Sequence, residues 1–179
     1  MRRPVGLLAV GLAVLLVQGA LATFAPPFAA PDLLFLVAVG TAVAVGGAEG
    51  LVVAALLGYA MDLLTGALLG QHALLLVMAY GATRVASLQL NLLRAAPLVV
   101  FIAVLTLCYD LGHAGLTRLM RGSVGLEWSD LGHVAVHALV NAVFARPAVG
   151  AVQRCAALLA GDEEAGRRTL RVEARGRRI

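Results

Sequence analysis

The amino-acid sequence predicts an all-α integral membrane protein that folds as a six-helix transmembrane bundle. Hydrophobic residues make up 61% of the 179 residues, charged residues make up 13%, and the mean hydropathy is +0.92. A soluble domain is typically about 45–50% apolar and about 25% charged, so this chain has too few polar side chains to cover a globule. Its apolar runs allow four to six crossings at about 20 residues each. This composition excludes a cytosolic enzyme domain, a disordered protein and a disulfide-rich secreted module.

The first two helices are delimited by proline and glycine. Helix 1 is predicted over Val5–Phe24 and ends at the loop Ala25–Pro31, because proline cannot continue the helical hydrogen-bond ladder. Helix 2 follows Asp32, a predicted N-cap, and runs to about Val45. Residues 46–50 contain three glycines, each costing about 1 kcal/mol inside a helix, and we therefore expect a break there.

The remaining elements follow from the same signals. They are helix 3 (Leu51–Leu64), a turn (Thr65–Gly70), helix 4 (Gln71–Leu90), helix 5 (Leu98–Leu119), a polar loop (Arg121–Ser129) and helix 6 (Asp130–Ala145). The apolar segment from Pro147 to Ala160 is expected to lie in the membrane interface or to extend helix 6. We therefore divide the chain into a six-span transmembrane domain, 1–160, and a basic cytoplasmic tail, 161–179.

The distribution of arginine predicts the orientation, since all 14 basic residues are arginine. A cytoplasmic N-terminus places Arg2, Arg3, Arg84, Arg94 and the tail on the inner side, as the positive-inside rule requires. The opposite orientation would expose almost every arginine outside. Six crossings then bring both termini to the cytoplasm. The net charge of +4 lies mostly at the chain ends, and we expect the lipid bilayer, not nucleic acid, to be its partner.

Most ionisable residues within the predicted spans fall in the outward-facing half of the membrane. Charged groups in hydrocarbon cost several kcal/mol unless they are paired or wet, so a shared polar cluster or a cleft opening outward is expected. One interpretation is a partner-binding site, and the other is a set of helix-end residues that reach the lipid headgroups. The candidate partner-binding residues are Asp62, Gln71, His72, Asp110, His113 and His137.

Helix 6 carries a second pattern, a polar face at helical spacing. Its members are Asp130, His133, His137 and Asn141. Metal binding, a proton relay and interhelical hydrogen bonding are all compatible with this spacing, and helix packing is the commonest of the three. We expect neither a metal nor a cofactor. No phosphate loop, nucleophile elbow or zinc-protease motif is present, so nothing indicates an enzyme.

Several short motifs, in order, resemble the MreD family of bacterial rod-shape-determining membrane proteins. Pro31-Asp32 before an apolar run resembles the family's second span, and the stretch Leu56–Gly66 resembles its characteristic Gly, Asp-Leu-Leu, Thr-Gly segment. The stretch Leu69–Leu74 continues that segment, with glutamine at position 71 where an apolar residue is more usual. Asn141 with the following apolar run and Pro147 resembles the last span. The resemblance covers about Val5–Arg154.

This resemblance implies a non-catalytic, six-helix protein of the bacterial inner membrane that belongs to the cell-elongation machinery and supports peptidoglycan synthesis. The implied partners are an MreC-like single-span periplasmic protein, RodA with its penicillin-binding protein, and indirectly the MreB filament. The implied fold is similar to the S-components of energy-coupling-factor transporters. That similarity leaves one alternative open, a substrate-binding membrane subunit of a vitamin-type importer.

Overall fold

The computed structural model describes residues 2–24, 26, 29–66, 68–121 and 128–176, and these residues confirm the all-α prediction. Six helices are found within them: α1 (Arg2–Leu21), α2 (Leu33–Ala44), α3 (Ala48–Thr65), α4 (Gln71–Gln89), α5 (Ala95–Arg121) and α6 (Trp128–Gly176). Four stretches in the described part of the chain are long and apolar enough to cross a membrane: Arg3–Leu21, Ala48–Thr65, Ala95–Met120 and Leu131–Gly161. α2 is a shorter apolar helix.

The bundle is built around α2. The other five helices form a closed ring in the order α1, α3, α4, α5, α6, each packed against the next, and α2 contacts α1, α3, α4 and α6. On the side of α5, the rings of Phe35 and Tyr109 lie with their centroids 5.1 Å apart. Residues 34–42 are all buried, as expected for a helix that is hydrophobic on every face.

Both ends of α2 are closed by polar groups of opposite charge. At the N-terminus, the Asp32 carboxylate accepts a hydrogen bond of 3.0 Å from the backbone N–H of Phe35. At the C-terminus, the guanidinium of Arg3 donates to the carbonyl of Ala44 at 3.2 Å. The guanidinium of Arg84 donates in the same way to the carbonyl of Ala42 at 3.1 Å. An acid at the start and cations at the end complement the helix dipole, which favours this orientation of a buried helix.

The predicted break between helices 2 and 3 is present. Gly47 has φ = +90°, a conformation that side-chain-bearing residues rarely adopt. The Tyr80 hydroxyl donates to its carbonyl at 2.9 Å, which fixes the turn against α4. α3 begins at Ala48 instead of Leu51, so Glu49 lies in its first turn, where an acidic side chain is favourable.

The predicted end of helix 6 near Ala145 is wrong. α6 continues through Pro147, which lies inside the helix. Ala145, Val149 and Val152 are all at most 4% exposed, and Ala156 is buried as well, so one apolar stripe at helical spacing runs across the proline. Burial of this stripe against the bundle outweighs the roughly 3 kcal/mol that a proline costs inside a helix. Of the two alternatives for the segment beyond Pro147, the structure shows the one in which it extends helix 6.

Two smaller differences concern the last two helices. α5 begins at Ala95, before Pro97, because a proline in the first turn removes a backbone N–H that would have no helical partner. α6 begins at Trp128, within the predicted polar loop. The rest of that loop, residues 122–127, and the last three residues of the predicted tail lie outside the described residues.

Candidate functional site

A chamber of about 690 Å³ lies at the N-terminal end of α2. It exists because α2, at about 18 Å, is shorter than the helices around it and leaves the space beyond its N-terminus unfilled. We call this space the α2 chamber. Its lining comprises Leu15, Leu16, Gln18, Gly19 and Ala22 of α1, Ala30, Pro31 and Asp32, Met61, Leu64 and Thr65 of α3, His72 of α4, Tyr109, Asp110 and His113 of α5, and His133, Val134 and His137 of α6.

A hydrogen-bonded network ties the floor of the chamber to α1 and α6. The Gln18 side chain donates to the Asp32 carboxylate at 3.2 Å and accepts from the backbone N–H of Leu34 at 2.9 Å. The backbone N–H of Asp32 donates to the Asn141 side-chain oxygen at 2.8 Å. Asn141 is fully buried, so this bond fixes the start of α2 against α6.

The same network reaches α5 through His137. Its Nδ1 lies 2.8 Å from a carboxylate oxygen of Asp110, and its Nε2 lies 3.4 Å from the Asn141 side-chain nitrogen. The Asn141 nitrogen also lies 3.4 Å from the Thr106 hydroxyl. Since an amide nitrogen donates, His137 is held with its hydrogen at Nδ1, which donates to Asp110. The Asp110 and His137 side chains are 16% and 15% exposed, so this pair faces the chamber.

Asp62 closes the turn between α3 and α4. Its carboxylate accepts hydrogen bonds of 2.9 Å from the backbone N–H of Gly70, 2.9 Å from that of His72 and 3.3 Å from that of Ala73. The His72 Nδ1 lies 2.8 Å from the same carboxylate. Asp62 thus supplies the N-terminal cap that Gly70, which has no side chain, cannot supply to α4.

Gln71 joins α4 to α5 just beyond this turn. Its side-chain nitrogen donates to the backbone carbonyl of His113 at 3.0 Å and to the Thr117 hydroxyl at 2.8 Å. The rings of His72 and His113 lie with their centroids 5.0 Å apart. The polar side chain of Gln71 therefore links two helices.

The structure divides the six predicted site residues into two groups. His72, Asp110, His113 and His137 line the α2 chamber, whereas Asp62 and Gln71 lie behind it and hold its walls together. The side chain of Asp130, on the predicted polar face of α6, lies outside the described residues. Asp62 and His72 lie on either side of the short turn between α3 and α4, and their side chains are in hydrogen-bond contact.

Gln18, Asp32 and Tyr109 line the chamber but were not among the predicted site residues. Gln18 lies in an apolar run without a motif, and Tyr109 gives no signal apart from its position beside Asp110. Asp32 was interpreted only as a helix cap, although it also forms the chamber floor. Gln18 could have been found because it is a lone amide inside an apolar helix. Such an amide is usually present because it forms a hydrogen bond to another helix.

The chamber combines two carboxylates, imidazoles and a phenol with an apolar wall. Among the residues that the structure describes, no group of three or more His, Cys, Asp or Glu side chains is arranged to hold a metal ion. Two of the four lining imidazoles form pairs with aspartate, His72 with Asp62 and His137 with Asp110. Such a site can bind a ligand or exchange protons.

Comparison with known proteins identifies the family to which this chain belongs. Residues 4–149 match the family model described as rod shape-determining protein MreD. The chain matches no curated protein and no solved structure at a significant level. The match covers most of the chain, including every residue that lines the α2 chamber, and it agrees with the apolar helices of a multi-pass membrane protein. The chain belongs to the MreD family of rod shape-determining proteins.

Proposed function

We propose that this protein is a non-catalytic subunit of the cell-elongation machinery in the bacterial inner membrane, and that it docks a periplasmic, MreC-like single-span partner. Membership of a rod shape-determining family supports the role in cell shape. The docking role rests on one observation. All six predicted site residues and the α2 chamber lie at the same end of the bundle, opposite the end where Arg3 and Arg84 bind α2.

The proposed orientation places the chamber end on the periplasmic side. Consecutive helices run in opposite directions, so the start of α1, the end of α2 and the arginines that bind it share one end of the bundle. Arginine-rich ends face the cytoplasm in inner-membrane proteins. In this arrangement all six helices are spans and both termini are cytoplasmic. α2 is too short to cross about 30 Å of hydrocarbon unaided, but it is shielded from lipid by the ring.

The rim of the chamber is suited to receive a partner helix. Asp62 fixes the α3–α4 turn, and Gln71 fixes α4 to α5, so the rim is rigid before docking. His113 can offer its imidazole to a polar side chain of the partner in the outer half of the membrane. The protein would then interact with RodA and its penicillin-binding protein through this partner. Its interaction with the MreB filament would be indirect and would take place at the cytoplasmic end of the bundle.

The test is complementation of a rod-shaped bacterium depleted of its own MreD. We expect the wild-type chain to restore rods and to co-purify an MreC-like protein. His113→Ala removes the imidazole but keeps the backbone carbonyl that accepts from Gln71, so the protein should stay abundant while co-purification falls several-fold. Tyr59→Ala, an exposed aromatic residue outside the chamber, is the control and should leave co-purification unchanged. Unchanged co-purification in His113→Ala would contradict docking at this rim.

A second candidate function is the substrate-binding subunit of a vitamin-type importer, with an S-component-like fold. The observation that favours it is the α2 chamber, whose volume is typical of small-molecule sites. This function requires a membrane ATPase as a partner. Co-purification of ATPase subunits in place of an MreC-like protein would favour the importer over the elongation complex.

A further inference from the structure

The continuous course of α6 places Arg146 in the middle of a membrane span. In the sequence prediction this residue stands just past the end of helix 6, where an arginine can reach the lipid headgroups. In the structure it lies midway along the apolar stretch Leu131–Gly161, about 22 Å of helix from either end. Asn141 binds the start of α2, and Val152 packs against Gly40 near its other end. Arg146 is therefore level with the middle of the central helix.

The side chain of Arg146 is exposed on the outside of the bundle. It forms no hydrogen bond or ion pair with any residue that the structure describes. His137, which lines the chamber, is about two and a half turns away, so the two side chains leave α6 in opposite directions. The middle of a hydrocarbon layer about 30 Å thick is about 15 Å from either headgroup region. An arginine at that depth requires a counter-charge, and this bundle does not provide one.

The surface around Arg146 is suited to contact another helix. Leu139 and Val143 are 66% and 68% exposed, and their spacing places them on the same face of α6 as Arg146. Gly150 lies one turn further along this face, and a Cβ there would meet nothing within 4 Å in the described part of the chain. Apolar side chains beside a glycine let a second helix approach closely within a membrane. We call these four residues the α6 face.

Pro147 adds a second polar group at the same depth. Proline has no N–H, so the carbonyl of Val143 receives no hydrogen bond from position 147. A backbone carbonyl that faces hydrocarbon without a donor is unfavourable. The α6 face therefore presents a cation and a carbonyl within one turn of helix. Lipid chains alone can satisfy neither group.

A second copy of this chain does not supply the missing counter-charge. Two copies related by a two-fold axis along the membrane normal would bring both Arg146 guanidinium groups to one depth in the interface. The acidic side chains that the structure describes are also unsuitable. Asp32 and Asp62 are buried, Asp110 is paired with a histidine, and Glu49 lies in the first turn of α3. The carboxylate must therefore come from a different protein.

We propose that the α6 face docks a membrane-spanning helix of another protein, and that this helix carries an aspartate or glutamate at mid-membrane depth. The carboxylate pairs with the Arg146 guanidinium, and the apolar part of the helix packs against Leu139, Val143 and Gly150. This inference goes beyond the proposed function, because the MreC-like partner docks at the rim of the chamber, whereas this surface lies on the other side of α6.

The test is photo-cross-linking in the bacterium that encodes this chain. Benzoylphenylalanine replaces Val143 in the full-length protein, intact cells are irradiated, and the adduct is mapped by mass spectrometry. We expect a bond to a membrane span of another protein, within about one turn of an acidic residue in its apolar run. The same probe at Met78, an exposed position on α4, is the control and should not give this product. Adducts with lipid only, with a second copy of this chain, or with a span that lacks an acidic residue would overturn the proposal.

Variants of Arg146 show whether its charge holds the partner. Arg146→Leu should lower the cross-linking yield about tenfold or more, whereas Arg146→Lys keeps the charge and should retain most of the yield. Arg154→Leu is the matched control. It removes an equal charge from an exposed position of α6, about 12 Å nearer the end of the span, and should leave the yield unchanged.

The stability of the purified protein distinguishes a docking role from a structural one. Because Arg146 has no partner among the described residues, Arg146→Leu in detergent should melt at or above the temperature of the wild type. A lower melting temperature would show that Arg146 stabilises the bundle itself and would contradict the proposal.

The outcomes also separate this inference from the proposed function. An unchanged cross-link in Arg146→Leu would refute pairing at the α6 face, whatever the protein does for cell shape. Failure of the wild-type chain to restore rods would refute the elongation role and leave an Arg146-dependent cross-link as a finding of its own.

Discussion

At the scale of single residues, Asp62 explains how a carboxylate is accommodated inside an apolar helix. Its side chain is fully buried, yet it accepts three backbone hydrogen bonds from the start of α4 and contacts the His72 imidazole. The partial positive charge of a helix N-terminus favours an acid at this position. The residue is thus part of the architecture, and its influence on docking would act through the shape of the rim.

Removal of this carboxylate should be costly. Asp62→Ala leaves the first N–H groups of α4 and the His72 ring without a buried acceptor, and we expect a loss of about 3 kcal/mol or more. The measurement is the temperature at which the detergent-solubilised protein ceases to be monodisperse. Asp62→Asn retains one acceptor oxygen and should lie between alanine and the wild type. Equal melting of all three proteins would show that the cap contributes nothing.

Gly58 provides a second residue-scale prediction. A Cβ at this position would lie 2.5 Å from the Ala73 Cα, so α3 and α4 can pack this closely only if residue 58 is glycine. Gly58→Ala must push the two backbones apart and should lower the same melting temperature by several degrees. Gly81→Ala is the matched control, because a Cβ there meets nothing within 4 Å and alanine is the better helix former. A melting temperature of Gly58→Ala at or above that of Gly81→Ala would contradict the close-packing argument.

The sequence allows the proximity of Asp62 and His72 to be predicted, but not the roles of their side chains. A turn of only a few residues between two helices forces Asp62 near His72, so their contact could be anticipated. Whether the carboxylate faces a cavity or the next helix depends on the rotation of α3 about its axis, which hydrophobic periodicity does not determine in a chain so uniformly apolar. The same limit applies to Gly58 and Gly81, since only the packing distinguishes two glycines in apolar helices.

At the scale of elements, α2 depends on groups from other helices for both of its ends. Its C-terminal carbonyls accept hydrogen bonds from Arg3 and Arg84. The sequence places Arg84 on the inner side, away from the outward cluster, and the structure explains it as a cap for another helix. That contact joins residues 42 positions apart, a distance at which sequence patterns carry no information.

Arg84→Met tests this cap while keeping an apolar stem of similar length. The buried carbonyl of Ala42 loses its donor, and we expect a loss of stability of about 1–3 kcal/mol, measured by thermal unfolding in detergent. Arg94→Met is the control, since it removes an equal charge from the same end of the bundle at an exposed position. If both variants melt alike, Arg84 acts through charge alone and not through the α2 terminus.

In α6, the proline at position 147 leads to a wrong prediction of where the helix ends. Proline ends most helices, and the sequence therefore predicted a boundary near Ala145. Position 147 lies instead within a helix of 49 residues, about 74 Å long. The apolar stripe through Val149 and Val152 packs beyond the proline, and a Cβ on Gly40 of α2 would lie 2.8 Å from the Val152 Cβ. Tertiary packing of this kind decides the boundary, and it is visible only once the partner helix is placed.

At the scale of the whole molecule, the α2 chamber follows from a mismatch in helix length. The sequence predicted that helix 2 is short and that polar residues gather at one end. It could not predict a cavity, because that requires knowing that the short helix is the central one. A short helix at the edge of the bundle would leave a notch in the outer surface, whereas a central one leaves a space lined by α1, α3, α4, α5 and α6.

The whole-molecule prediction concerns the orientation of the bundle in the membrane. If the chamber end is periplasmic, Thr65→Cys at its rim should react with a membrane-impermeant maleimide in intact cells. Gly161→Cys, toward the other end of α6, should react only after the membrane is permeabilised. Cys108 and Cys155 are replaced by serine in the background, because both are free thiols. Reaction of Gly161→Cys in intact cells, with protection of Thr65→Cys, would place the chamber on the cytoplasmic side. That result would exclude docking of a periplasmic partner at the chamber.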